Sequence, residues 1–283
     1  MFTGTINING TLMDLSIPKV MGIVNLTPDS FFEGSRTPQE EEVEKRVRQL
    51  LAEGADILDV GAYSTRPGAA DVPVDEEIRR LRKGLAALRR VAPNAVISVD
   101  TFRADVAKMC IEEYGVAMVN DISGGDADPH MIDAVAYARV PYIIVHMQGT
   151  PQTMQQAPHY KNVVKEVMLQ LAEKVRRLHE REVNDVILDP GFGFGKTLEH
   201  NFELLAHLDA FDIFELPLLV GLSRKSMVYK TLDITPAEAL NGTTVLHTLA
   251  LSKGANILRV HDVKEAVEAI KLWQMVKKYE NEN

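Results

Sequence analysis

Along the chain, short runs of apolar and β-branched residues alternate with longer stretches in which apolar residues recur every three or four positions. The short runs fall at 20–25, 56–61, 95–100, 117–121, 141–146, 185–189, 216–222 and 256–261, and each reads as a strand. Stretches such as 40–53, 75–90, 104–114, 162–182 and 237–252 carry the helical period. Strands alternating with helices predict a parallel sheet covered by helices. Eight repeats with no Pro/Gly/Ser-rich linker predict one α/β domain over 1–283, a closed (β/α)8 TIM barrel. A doubly wound open sheet is the alternative that the pattern alone leaves. Residues 4–13 alternate and turn at Asn9-Gly10, so 1–18 should form an N-terminal β-hairpin across the barrel bottom, and 275–283 should be a frayed tail.

Helix boundaries are marked locally. Thr37-Pro38 and Thr235-Pro236 place proline where a missing N–H does no harm. Gly54, Gly115 and Gly254 each follow a helical stretch and precede a strand, where a C′ residue must take positive φ.

Composition narrows the function. With 46% hydrophobic and 25% charged residues in 283, the chain is neither disordered nor built around a membrane span. No stretch approaches the ~18 apolar residues of a transmembrane helix, and MFTGTINING lacks the basic and apolar regions of a signal peptide, so a cytoplasmic location is expected. The net charge of −9 argues against a nucleic-acid surface; positive charge for an anionic substrate must be local. Cys110 is the only cysteine, excludes an internal disulfide, and among Val106, Met109 and Ile111 reads as core packing.

The informative polar residues fall at strand ends: Asn25, Asp59, Asp100, Asn120 with Asp121, His146, Asp189, the run Ser223-Arg224-Lys225-Ser226, and Arg259 with His261. Any one of them could cap a helix or make an Asx-turn. Eight strands out of eight point instead to a site at the C-terminal mouth of the barrel. Asp59, Asp100, Asn120 and Asp189 suit a flat heterocycle rich in N–H groups, and Lys225, Arg259, His261 and Arg66 supply local positive charge. A small heterocycle carrying phosphates is the predicted substrate. The stretch LDPGFGFGK (188–196) looks like a phosphate loop but matches neither template: Pro190 stands where a Walker loop needs glycine, and the glycines are one residue too close for a dinucleotide fingerprint.

Eight motifs together resemble one family. MGIVNLTPDSF (21–31), DVGAYSTRPG (59–68), SVDT (98–101), NDISG (120–124), HMQGTP (146–151), DPGFGFGK (189–196), GLSRKS (221–226) and RVHDV (259–263) are similar, in order, to those of dihydropteroate synthase. The resemblance implies a barrel that joins 6-hydroxymethyl-7,8-dihydropterin diphosphate to 4-aminobenzoate, and commonly a homodimer. It implies that Asp189 grips the amino-pyrimidine edge with Asp100, Asn120 and Lys225, with Asp59 also counted among the substrate contacts. Arg259 and His261 would bind the diphosphate, and Asn25 would reach it through Mg²⁺. Asp29, Ser30 and Phe31 of a first loop, and Thr65, Arg66 and Pro67 of a second, would close over the site. Phe194, Ser226 and Met147 would complete the substrate contacts, Phe194 and Ser226 on the aminobenzoate side. The glycines of 189–196 would let the backbone pass close to the pterin edge, Phe192 would pack beside the loop, and Lys196 would be a solvated charge. A pterin-binding methyltransferase shares the barrel but has no need of TPDSF, STRPG or SRKS. A binding-only paralogue has no need of a leaving-group pocket. The chain departs from the family at Ala62-Tyr63-Ser64, where Gly-Glu-Ser is frequent, which leaves the detail of the second loop open.

Overall fold

In the computed structural model, residues 2, 4–26, 36–64, 71–150, 153–154 and 158–280 are described. A two-stranded hairpin comes first, β1 (Thr5–Ile8) and β2 (Thr11–Asp14), in register from Thr5↔Asp14 to Ile8↔Thr11. Its two-residue turn has Asn9 and Gly10 both at positive φ, 49° and 86°, the geometry that matches strand twist.

Eight parallel strands follow: β3 (Lys19–Asn25), β4 (Ile57–Gly61), β5 (Ile97–Asp100), β6 (Met118–Asp121), β7 (Tyr142–Val145), β8 (Val186–Asp189), β9 (Leu219–Val220) and β10 (Ile257–Val260). Neighbours pair in chain order from β3 to β8, and β10 joins β9 to β3. A single parallel bridge, Leu188↔Leu218, brings β8 to β9, and the cylinder is nearly closed. All eight expected strands are present, and the closed form replaces the open-sheet alternative. The run 216–222 yields only two strand residues: Pro217 has no N–H for a ladder, and the Leu218 N–H goes to the Asn256 side chain at 3.1 Å.

Nine α-helices are described: α1 (Arg36–Glu53), α2 (Val74–Val91), α3 (Ala104–Tyr114), α4 (Met131–Ala138), α5 (Val163–His179), α6 (Leu198–Ala206), α7 (Ser226–Leu232), α8 (Leu240–Ser252) and α9 (Val263–Glu280). The stretch expected as one helix over 237–252 is split. Thr235 and Glu238 form a capping box on a short 3-10 helix, Pro236–Glu238, before α8 begins. Gly54, Gly115 and Gly254 all have positive φ. The last helix runs to Glu280, so the fray expected from 275 does not begin there.

Two hydrophobic cores result. The larger lies between sheet and helices; Cys110 is buried in it, and burial pushes its thiol pKa well up, which fits a packing role. The smaller fills the lower barrel, where Met21, Ile57, Met118, Ile143, Ile187, Leu219 and Ile257 meet Ile6, Ile8 and Leu15 of the hairpin segment. Asn256 fixes the two parts together: its amide donates to the carbonyls of Phe2 (2.8 Å) and Leu15 (3.1 Å) and accepts from Leu218 N (3.1 Å).

Candidate active site at the barrel mouth

Side chains two residues apart on a strand share a face. Two steps above the apolar floor, the inward positions are therefore Asp59 after Ile57, Asn120 after Met118, Asp189 after Ile187 and Arg259 after Ile257. Asp100 pairs in register with Asn120, and Asn25 and His261 stand one step higher on their strands. The floor is apolar and the layer above it is polar because the sequence changes character within one pleat period.

Four of these groups, Asp59, Asp100, Asn120 and Arg259, form one connected cluster. Arg259 donates from Nε to Asp59 Oδ2 and from Nη2 to Asp100 Oδ2, both at 2.6 Å. Asn120 Nδ2 donates to the same Asp59 oxygen at 3.0 Å. Asp189 Oδ1 accepts the Gly191 amide at 2.7 Å. Lys225 Nζ donates to the Phe192 carbonyl and lies 4.6 Å from the centroid of the Phe194 ring. Buried atoms with no partner among the described residues include Asp59 Oδ1, Asn120 Oδ1 and Ser98 Oγ. Buried acceptors without donors are costly, and at Asn120 Oδ1 a ligand N–H would supply one.

Burial sets the electrostatics. It raises the Asp100 pKa to about 7, with Arg259 pulling against it and Asp59 adding to it. It raises Asp189 as well, opposed mainly by Lys225. The Lys225 ammonium is lowered by burial to about 8, Asp189 opposing. Burial also acts against Arg259, but Asp59 and Asp100 outweigh it and hold the guanidinium above its ordinary value. Burial, then Arg259, lowers His261 to about 4, so its ring is neutral. Ser223 positions that ring, its hydroxyl 3.1 Å from Nδ1 and 3.2 Å from the His261 backbone N.

The Pterin binding enzyme family matches residues 21–261. Dihydropteroate synthase of Escherichia coli (strain K12) is 43% identical over 265 residues, 93% of each chain. The chain belongs to the dihydropteroate synthase family. Among solved structures, the Yersinia pestis dihydropteroate synthase in a sulfonamide drug complex superposes with TM-score 0.90 at 39% identity, covering 97% of this chain and 99% of that one. The Xanthomonas albilineans dihydropteroate synthase with 4-aminobenzoic acid gives TM-score 0.89 at 39% identity, over 97% and 98%. The chain is thus an enzyme, a transferase of folate synthesis.

As a dihydropteroate synthase, the chain uses fewer of its strand-end polar groups at the mouth than expected. Asp121 has the opposite parity to Asn120 and turns into the outer layer. Its carboxylate accepts from Tyr142 OH (2.6 Å), Ser123 N (2.7 Å), Ser123 Oγ (2.7 Å) and Gly125 N (2.9 Å). Arg224, at φ 54°, is used up by Asp262 and by the carbonyls of Pro236 and Ala237. Lys196 is not a solvated charge: it is buried, and Nζ lies 2.9 Å from both His146 Nδ1 and the Gly191 carbonyl and 3.1 Å from the Phe194 carbonyl. Burial lowers its pKa well below the ordinary value although Asp189 opposes this; burial and then Lys196 lower His146 to about 2. The loop's glycines are at φ 71°, 80° and 60°, and a Cβ on Gly191 would stand 1.9 Å from the His146 carbonyl oxygen. Phe192 is fully buried beside the loop.

Asn25 ends β3 partly buried and makes no side-chain hydrogen bond among the described residues. Ser226 opens α7, Met147 is partly buried after β7, and Phe194 packs partly against the inner core. Asp29, Ser30, Phe31, Thr65, Arg66 and Pro67 lie outside the described residues. At the family departure, Ala62 is fully buried; the Tyr63 ring meets Phe102 edge-on at 5.0 Å, and its hydroxyl donates to Asp71 at 3.0 Å. Beneath it, buried Glu77 accepts from Thr101 (2.8 Å) and Arg103 (2.6 Å), a support that no motif announced.

Proposed function

We propose that this chain condenses 6-hydroxymethyl-7,8-dihydropterin diphosphate with 4-aminobenzoate, releasing pyrophosphate and giving 7,8-dihydropteroate. The observation that carries this reading is the buried polar layer in which Asp100, Asn120 and Asp189 offer acceptors beside Lys225, Arg259 and His261. The Xanthomonas relative, solved with 4-aminobenzoic acid, supports the second substrate.

In this reading Asp189 receives the amino group and neighbouring ring N–H of the pterin, Asn120 and Asp100 accept from the rest of that edge, and Lys225 donates to the ring carbonyl. The diphosphate lies on Arg259 and His261, with Arg66 of the second loop and Thr65 closing over it. The C–O bond to diphosphate breaks as the dihydropterin delocalises the positive charge left on its exocyclic carbon; the amine then attacks that carbon and, as the C–N bond forms, gives up one proton to solvent or the departing pyrophosphate. The main catalytic contribution is electrostatic stabilisation of the departing charge in a site closed to water from below. Phe194, Ser226, Pro67 and Phe31 hold the arylamine near that carbon, where proximity replaces a strong base.

Asn25 is our proposed link to Mg²⁺. Among the described residues, no group of three or more His, Cys, Asp or Glu could hold a metal by itself. One amide oxygen at a strand end fits a hard cation that keeps most of its waters and takes its other ligands from substrate phosphates. Bound there, Mg²⁺ would neutralise charge on the leaving diphosphate.

We further propose a homodimer, as expected for the family, through the packed pair α8 and α9, on which Val245, Leu249, Leu272 and Val276 are exposed. Light scattering that gives a monomer at micromolar concentration would exclude it. We also place the enzyme in the cytoplasm, in keeping with its buried, unpaired Cys110. The deciding experiment for the reaction supplies the pterin diphosphate, Mg²⁺ and 4-aminobenzoate. Pyrophosphate release should depend on the arylamine and be inhibited by a sulfonamide; no release, or release indifferent to both, overturns the reading.

A further inference from the structure

Asp59 is fully buried on β4, and it contacts two groups given substrate roles above. Its Oδ2 accepts from Arg259 Nε at 2.6 Å and from Asn120 Nδ2 at 3.0 Å. A carboxylate only accepts, whereas an amide has one accepting end and one donating end. Asn120 can therefore meet Asp59 in a single orientation, with its NH₂ group toward the carboxylate. Its Oδ1 is then turned away, and that oxygen is buried without a partner among the described residues.

Arg259 keeps this arrangement in place. Its Nε ion pair fixes the Asp59 side chain, and its Nη2 bond to Asp100 reaches across the barrel to β5, the strand beside Asp59's β4. No other acceptor among the described residues replaces Asp59 in setting the Asn120 amide, since that is the only hydrogen bond the side chain makes there.

We infer that Asp59 is a positioning residue rather than a substrate contact: it fixes the flip of the Asn120 amide, leaving Oδ1 as the free acceptor, and so favours a heterocycle edge that presents an N–H at that point. The inference rests on the proposed use of Asn120 for pterin. It differs from the usual view of a polar pocket as a set of independent contacts, because toward a pterin without diphosphate, which leaves the diphosphate role of Arg259 aside, loss of Asp59 should act through Asn120.

Calorimetry with 6-hydroxymethylpterin tests it on the full chain. An unsatisfied buried hydrogen-bonding group is worth about 1–3 kcal/mol, so Asp59→Leu should weaken pterin binding by about fivefold or more. The KM for 4-aminobenzoate should change less than about twofold. Asp59→Asn keeps an oxygen at the shared position and should restore pterin affinity to within about threefold of wild type. In an Asn120→Ala background, Asp59→Leu should add less than about twofold. Full multiplicative losses in that double variant, or an Asp59→Asn variant as weak as Asp59→Leu, would overturn the inference. If the leucine variant does not fold, the same cycle is run with Asp59→Ala. Wild-type pterin affinity in the Asp59 variants with pyrophosphate still released removes Asp59's role and leaves the reaction standing. No release by the unmodified chain removes the reaction instead.

Discussion

Lys196 Nζ lies 2.9 Å from His146 Nδ1, and the same amine reaches the carbonyls of Gly191 and Phe194. One buried amine thus fixes the loop that holds Asp189 at one end and Phe194 near the other. Lys196→Met would leave the Phe194 carbonyl without a donor, while the Gly191 carbonyl would keep the Phe194 N–H at 3.1 Å. The expected loss is about 1–3 kcal/mol of unfolding free energy, read from urea denaturation, with a higher KM for 4-aminobenzoate. A variant with the wild-type midpoint and KM would show that the amine organises nothing.

Asp189→Asn is predicted to abolish pterin binding, and the loop explains why the change is not conservative. The Gly191 N–H, 2.7 Å from Asp189 Oδ1, requires an acceptor. The new amide would turn its oxygen there and present its NH₂ to the ring donors. Affinity for 6-hydroxymethylpterin should fall at least about a hundredfold, two lost charge-assisted bonds at about 1.5–3 kcal/mol each. Near wild-type binding by calorimetry would contradict the assignment of Asp189.

The raised Asp100 pKa, about 7, sets a pH dependence. If ionised Asp100 accepts from the pterin, affinity is fully present above pH 7 and lost as protons are added, by up to about tenfold per pH unit below it. Asp100→Asn should flatten that profile over pH 5.5–8. A profile with the same slope in both proteins would assign the titration to another group.

Stability should respond to acid through His247, buried in α8 with Nε2 unpartnered among the described residues. Burial lowers its pKa from 6.5 to about 4, with Asp262 opposing. A depressed histidine takes up its proton more readily unfolded, so it costs nothing above pH 6.5 and destabilises progressively as pH falls toward 4. Relative to His247→Leu, wild type should lose about 1.4 kcal/mol per pH unit across that window. Parallel stability curves for the two proteins would refute this.

The barrel could be read from the sequence because parallel strands are short apolar runs, and eight of them separated by helical periods leave few other packings. Much of the mouth could be read too, since Arg259 and His261, two apart, must share a face. The same parity could have removed Asp121, which sits next to inward-facing Asn120. Lys196 was hidden for another reason: lysine is exposed by default, and its burial depends on carbonyls that converge only after Gly191, Gly193 and Gly195 turn the backbone. Glu77 and Ser223 act through tertiary contacts that no local spacing announces. Split boundaries at β9 and α8 follow from Pro217 and Pro236, which shift where regular hydrogen bonding can start.

The apolar floor, with the hairpin beneath it, makes the barrel a vessel with one opening. Traffic through a single opening is sequential: whatever lies deepest must arrive first. A heterocycle seated on Asp189 and Asn120 would enter ahead of the arylamine, and the joined product would have to leave along the path its outer half used to enter. The order of entry would then be set by Met21, Ile57 and their neighbours on the floor, one layer below the polar groups that would hold the substrates.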